Sequence, residues 1–148
     1  MVVVESVMYF RTRIPRNVTL GYNGLATAPV QANLNTALFE WVVENLLKNA
    51  LDALQGHGSI DVCIDSDEKN VWIDVKDTGK GIAKNNWKRI FEPGFTTKTR
   101  GWGLGLSLSR RVVEEYHGGR IAVVESEIGK GTTIRITLKR SYESGGNA

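Results

Sequence analysis

The chain has 148 residues with one cysteine, three prolines and no apolar run long enough to cross a bilayer. Each scarcity excludes something. With Cys63 alone, neither an intramolecular disulfide nor a cysteine-rich metal centre can form, and a reducing compartment is permitted. The opening "MVVVESVMYF" is too short for a membrane span, carries Glu5, and lacks the layout of a secretory signal. Clustered basic charge is also missing. The net charge of +3 is spread along the chain, which argues against a nucleic-acid partner and leaves a small polyanion open. Two phosphate-binding signatures fail on spacing. There is no GxxxxGK[ST], and Gly101, Gly103 and Gly105 are spaced two and two rather than as GxGxxG.

What remains is an ordinary globular composition, 41% hydrophobic and 24% charged, in a length that suits one domain with a single core. Residues 2–12 carry a weak helical pattern ended by Pro15, and "NVTLGYN" (17–23) reads as a strand. Leu34 to Gln55 is the strongest helix, capped by Asn35 or Thr36 and ended by "GHG". "SIDVCID" (59–65) and "VWIDVKD" (71–77) alternate apolar and polar residues about a turn, as an antiparallel hairpin does. Residues 78–103 hold five glycines and little periodicity; a loop of that length in a compact domain is usually functional. "LGLSLSRRVVEEYH" (104–117) is a second helix. "RIAVVES" (120–126) and "TTIRITLKR" (132–140) are closing strands, and the tail "SYESGGNA" reads as disordered. The pattern predicts an α+β two-layer sandwich, helices against a mostly antiparallel sheet.

Within the main helix, two asparagines stand one turn apart. Asn is a poor helix-interior residue, because its side chain competes for backbone hydrogen bonds. At about 100° per residue, Val42, Val43, Leu46, Leu47, Ala50 and Leu54 form the core face. Trp41, Asn45, Lys48, Asn49 and Asp52 gather opposite. That polar face suits plain solvation. Two Asn are unusual on such a face, however, and an Asn oxygen is a hard, neutral ligand that suits Mg²⁺.

Two glycine loops follow. "DTGKGIA" (77–83) leaves a strand directly; Gly79 and Gly81 allow unusual angles and close approach, and Asp77 offers an acceptor for an exocyclic amine such as adenine's. A bare Asp-Thr-Gly turn explains the same residues. "RGWGLGLSLSRR" (100–111) alternates glycine and then starts a helix, an arrangement that fits an anion at free backbone N–H groups, or a hinge. Lys98 and Arg100 lie just upstream, where they would meet phosphate oxygens.

In order along the chain stand Asn-x-x-x-Asn-Ala-x-Asp-Ala (45–53), Asp-x-Gly-x-Gly (77–81), "FEPGFTTK" (91–98), Gly-x-Gly-Leu-Gly-Leu (101–106) and Gly-x-Gly-Thr (129–132). Together they resemble the catalytic ATP-binding domain of bacterial sensor histidine kinases, in the superfamily with gyrase, Hsp90 and MutL. The resemblance covers roughly residues 17–140. It implies a Bergerat-type fold, with three helices on one face of a mixed, mostly antiparallel sheet and a mobile ATP lid. By position, it implies Mg²⁺ at Asn49, phosphate contacts from Asn45, Lys48 and Lys98, and the adenine amine at Asp77, helped by Thr132 through water. Gly79, Gly81 and Ile82 would shape the adenine pocket. Residues 91–103 would be the lid, and the backbone of Gly101, Trp102, Gly103, Leu104, Gly105 and Leu106 would hold the phosphate chain; Trp102 is bulkier than the residue usual there and would either cover the nucleotide or only pack the open lid.

In the ATPase branches of the superfamily, the residue four before the Mg²⁺-binding Asn is a water-activating Glu. Here it is Asn45, which is no base, and Glu44 sits off that face. The resemblance therefore implies phosphoryl transfer to a protein rather than efficient hydrolysis. Trp41 stands where many histidine kinases have Gln, Glu or His, and Asp52 where many have Lys, so Lys48 or Lys98 would supply that phosphate contact. A phosphoacceptor histidine belongs on a separate dimerising hairpin, and neither His57 nor His117 lies in such a setting. The expectation is a fragment. Residues 1–16 form an N-terminal helix or linker, 17–140 the catalytic domain and 141–148 the tail. It would be monomeric and unable to autophosphorylate alone. Its partners would be the His-bearing hairpin and, through the full-length protein, a response regulator; nucleic acid and direct membrane contact are not expected. Family habit places it on the cytoplasmic side, with the parent anchored in a membrane or not. An ATPase or an anti-sigma-type serine kinase on the same fold, and an ATP-binding interaction module without catalysis, are the rival readings.

Overall fold

A computed structural model describes residues 2–23, 35–95 and 105–141 of the chain. Five strands form one sheet: β1 (Val18–Asn23), β2 (Gly58–Ser66), β3 (Asn70–Asp77), β4 (Arg120–Glu127) and β5 (Gly131–Lys139), in the order β1-β2-β3-β5-β4. β1 and β2 run parallel; the other neighbours are antiparallel. The parallel pair needs a crossover, and the helix α2 (Thr36–Leu54) supplies it. α1 (Val2–Arg11) and α3 (Gly105–Arg111) pack beside α2, and α3 continues as a π-helical turn, Val112–Tyr116. The expected mixed, mostly antiparallel sheet with helices against it is the architecture observed.

α2 forms because its sequence separates two faces cleanly. Phe39, Val42, Val43, Leu46, Leu47, Ala50 and Leu54 are buried, while Trp41, Lys48 and Asp52 are exposed and Asn45 and Asn49 half-buried. The buried stripe lies over β2 and β3 and shares one core with the inward residues of the sheet: Ile60 and Val62 of β2, Ile73 and Val75 of β3, Ile134 and Ile136 of β5, Ile121 and Val123 of β4. α1 adds Val3, Val7 and Phe10 to the same core. Asn35 is the N-cap: its side-chain oxygen accepts from the Leu38 amide at 3.1 Å. The C-cap is Gln55, in the left-handed region at φ 55°, so the helix ends one residue before the glycine expected to stop it.

His117 ties the end of the α3 segment to the start of α2. The Asn35 amide donates to its Nε2 at 2.9 Å, so the ring proton is on Nδ1, which donates to the Val112 carbonyl at 2.9 Å. The imidazole also stands edge-on to Phe39, with ring centroids 5.8 Å apart. This is a structural role.

One irregularity shapes the functional end of the sheet. β4 pairs with β5 as Ile121↔Ile136 and Val123↔Ile134, then slips to Glu125↔Thr133 and Ser126↔Thr132. The bulge at Val124 reverses the alternation. Ile121 and Val123 face inward as odd-numbered residues; beyond the bulge, Ser126 does.

Phe39 is fully buried at the centre of the core. Phe39→Ala is expected to cost about 3–5 kcal/mol. The measurement is the urea midpoint at unchanged slope. A loss below about 1 kcal/mol would mean the site collapses around the missing ring.

Candidate nucleotide-binding site

β3 ends at Asp77, and the chain turns at once through Thr78–Ala83. This turn is held from two sides by backbone. The Lys80 amide donates to the Ala53 carbonyl of α2 at 3.1 Å, and the Gly129 amide, in the β4–β5 turn, donates to the Lys80 carbonyl at 2.8 Å. A Cβ on Gly79 would meet the Ala53 carbonyl, one on Gly81 (φ 78°) the Glu127 carbonyl, and one on Gly131 (φ 133°) the Asp77 carbonyl. The glycines therefore answer first to neighbouring backbone, rather than only to a ligand.

Because the two turns meet so closely, Asp77 is nearly covered, at 7% exposure. Its Oδ1 accepts from the Gly79 amide at 2.8 Å. Burial holds the carboxyl above the ordinary aspartate range, and hydrogen bonds from the Gly79 and Thr132 amides pull it part of the way back. Thr132 is the register partner of Asp77 across β3 and β5 and is also buried. Ile82 is half-buried against the core; its carbonyl accepts from Trp87 Nε1 at 3.0 Å and its amide donates to Ser126 Oγ at 2.7 Å. Asp77, Gly79, Gly81, Ile82 and Thr132 are thus brought to one place. The alternation of β4 hid Ser126, which joins them.

The α2 face forms a second group. Asn49 Nδ2 donates to the Asn45 carbonyl one turn earlier, at 3.0 Å. Asn45 Nδ2 donates to Ser109 Oγ at 2.9 Å, and Ser109 Oγ, fully buried, donates to the Gly105 carbonyl at 2.8 Å. A Cβ on Gly105 would lie 2.7 Å from Asn45 Oδ1, so α2 and α3 touch there because the residue is glycine. Leu106 packs partly buried against the core, and Lys48 is exposed beside these amides. Ser109 was another residue the sequence pattern did not single out. Lys98, Gly101, Trp102, Gly103 and Leu104 lie outside the described residues, as does all of the expected lid beyond Phe95.

Residues 35–142 match the family described as histidine kinase-, DNA gyrase B- and HSP90-like ATPase. The chain belongs to that family. Within it, the similarity runs to the sensor histidine kinases. Sporulation kinase E of Bacillus subtilis (strain 168) is 48% identical over 95 residues, covering 64% of this chain and 13% of the relative. Sensor histidine kinase ZraS of Escherichia coli (strain K12) is 45% identical over 97 residues, covering 66% of this chain and 20% of the relative. The chain therefore spans a small part of the length of these curated relatives. Among solved structures, the catalytic domain of histidine kinase ThkA superposes with a TM-score of 0.82 at 27% identity, over 93% of this chain and 91% of that one. The chain is an ATP-binding domain of the sensor histidine kinase type. Among its described residues, no helix is long and apolar enough to cross a membrane.

The raised pKa of Asp77 in this histidine kinase-type domain has a measurable consequence. A carboxyl that holds its proton more tightly when folded contributes stability that is fully present below its unfolded pKa. That contribution is lost as pH rises through the higher folded value. Asp77→Asn keeps an oxygen for the Gly79 amide and removes the charge. The stability of wild type relative to Asp77→Asn is therefore expected to fall as pH rises from about 3 toward neutrality. Urea midpoints of both proteins across that range check it. A difference independent of pH contradicts the burial account.

Proposed function

We propose that this domain binds Mg²⁺-ATP and presents the γ-phosphoryl group to a histidine on a separate dimerisation hairpin of the same kinase, from which a response regulator would then be served. The observation that carries the reading is a buried acceptor, Asp77, at the end of β3, in a turn held by the same helix that bears an amide pair. Ala53 of α2 touches the Asp77 turn, and Asn45 touches the start of α3. The two contacts are eight residues apart, about 12 Å of helix. One end suits a base and the other a phosphate chain.

In this reading, Asp77 accepts from the adenine amine and Thr132 assists through water. Gly79, Gly81 and Ile82 bound the base. Asn45, Lys48 and Lys98 approach the phosphates, together with the backbone of Gly101–Leu106, and Trp102 covers the nucleotide. Among the described residues, no three His, Cys, Asp or Glu side chains gather as metal ligands. The Mg²⁺ would be held by one amide oxygen, from Asn49, with phosphates and water completing its shell. When bound, the ion neutralises charge on the phosphates. The incoming imidazole nitrogen forms the bond to the γ-phosphorus, the bond to the ADP oxygen breaks, and the imidazole proton leaves to solvent.

Poor hydrolysis follows from Asn45. Its amide nitrogen already donates to Ser109, and an amide oxygen is too weakly basic to take a proton from water. The acting unit is residues 17–140, with the 1–16 segment docked on it through α1. Alone, the chain would be monomeric and would not phosphorylate itself. Its place would be the cytoplasmic side.

The test is to mix the chain with the separately prepared His-bearing hairpin and γ-labelled ATP. Label is expected on the hairpin and none on the chain. Asn49→Ala should lower the rate by about 10²-fold, the scale of losing one contact to the transferred group. Label on the chain alone, or steady phosphate release without the hairpin, would favour an ATPase or a self-modifying kinase instead.

A further inference from the structure

Ser126 makes three contacts, and their chemistry leaves a single arrangement of protons. The Ile82 amide can only donate to Ser126 Oγ (2.7 Å), and the Gly131 carbonyl can only accept from it (3.0 Å). The one hydroxyl proton of Ser126 is therefore spent on Gly131. The third contact, 2.7 Å to Thr132 Oγ1, is then made by the Thr132 proton, donated toward Ser126. Thr132 is left with lone pairs alone. Beside it, Asp77 accepts from Gly79 and brings no proton of its own when ionised. With Asp77 ionised, the Asp77 and Thr132 side chains offer acceptors only.

We infer that Ser126 is a positioning residue for base selection: by drawing the Thr132 proton to itself, it makes the pocket accept hydrogens and refuse a base that brings an oxygen in place of an amine. The inference rests on the nucleotide reading above and sharpens it. Adenine carries an exocyclic amine with hydrogens to give. Hypoxanthine carries an oxygen there, and the ring nitrogen beside it bears a hydrogen where adenine's has a lone pair. Without Ser126, the Thr132 hydroxyl is free to turn its proton toward that oxygen, so discrimination against the oxygen-bearing base falls. The β4 bulge is what allows this, because it alone brings Ser126 to the inner face opposite Thr132.

The experiment is calorimetric titration of this chain, with Mg²⁺, by ATP and by inosine triphosphate, read as the ratio of the two affinities. The wild type is expected to favour ATP. Ser126→Ala is expected to reduce the ratio about tenfold, the worth of one hydrogen bond, while Ser126→Thr, which keeps the hydroxyl, retains it. In a Thr132→Val background, which has no proton to direct, Ser126→Ala should change the ratio no further. Ser126→Cys, of nearly the same volume and a poor acceptor, replaces the alanine variant if that one does not fold. A general loss of structure would weaken both nucleotides together and leave their ratio unmoved. If ATP binds and is preferred but Ser126→Ala leaves the ratio as it was, the role of Ser126 is overturned while the nucleotide site stands. If the wild type binds neither nucleotide, the nucleotide reading itself fails.

Discussion

Two turns meeting backbone to backbone are the constraint on which the rest of the site depends. A carboxylate nearly excluded from water is costly unless donors reach it. Asp77 has them because Gly81 and Gly131 carry no side chain and let the β4–β5 turn close over the end of β3. A methyl at either glycine would strike a carbonyl and would also strain a backbone at positive φ. The same contact sets Ser126 against Ile82 and Thr132. Sheet register, glycine placement and the acidity of one aspartate are thus a single arrangement.

α2 carries that arrangement to the other half of the site. Its buried face is an uninterrupted apolar stripe, which anchors it against β2 and β3 in the common core. Its opposite face is free to be polar, and there the chain has placed two amides among Trp41, Lys48 and Asp52. They are organised: Asn49 bonds back to the Asn45 carbonyl, and Asn45 reaches Ser109, whose hydroxyl is committed to Gly105. With that proton spent, Ser109 offers Asn45 only a lone pair, which suits an amide N–H and opposes a carboxylate. The absence of a basic residue at position 45 is thereby built into the helix packing as well as into the chemistry proposed.

Much of this was legible in the sequence. The stripe of α2, the alternation of β2 and β3 and the two closing strands follow from periods of 3.6 and 2, which burial enforces directly. The order of the asparagine and glycine motifs pointed to the family that residues 35–142 match. What escaped depends on local departures from those periods. Plain alternation puts Ser126 on the outer face with Ala122 and Val124; only the bulge turns it inward. Ser109 looks like any small residue of a helix until the close approach at Gly105 makes it a neighbour of Asn45. Gln55 takes the left-handed cap that Gly56 was better suited to take, and the π turn after Arg111 leads into His117, whose ring bonds both Asn35 and Val112. Each is a decision made by packing between elements, where local propensity is a weak guide.

The central claim is that the pocket around Asp77 receives an adenine base. An amide NMR titration of the chain with adenosine, which has no phosphates, tests it most directly. The account expects the Gly79, Ile82 and Thr132 amides to shift together with adenosine and to stay still with guanosine. Adenosine binding that moves other amides and leaves these three unchanged would contradict it.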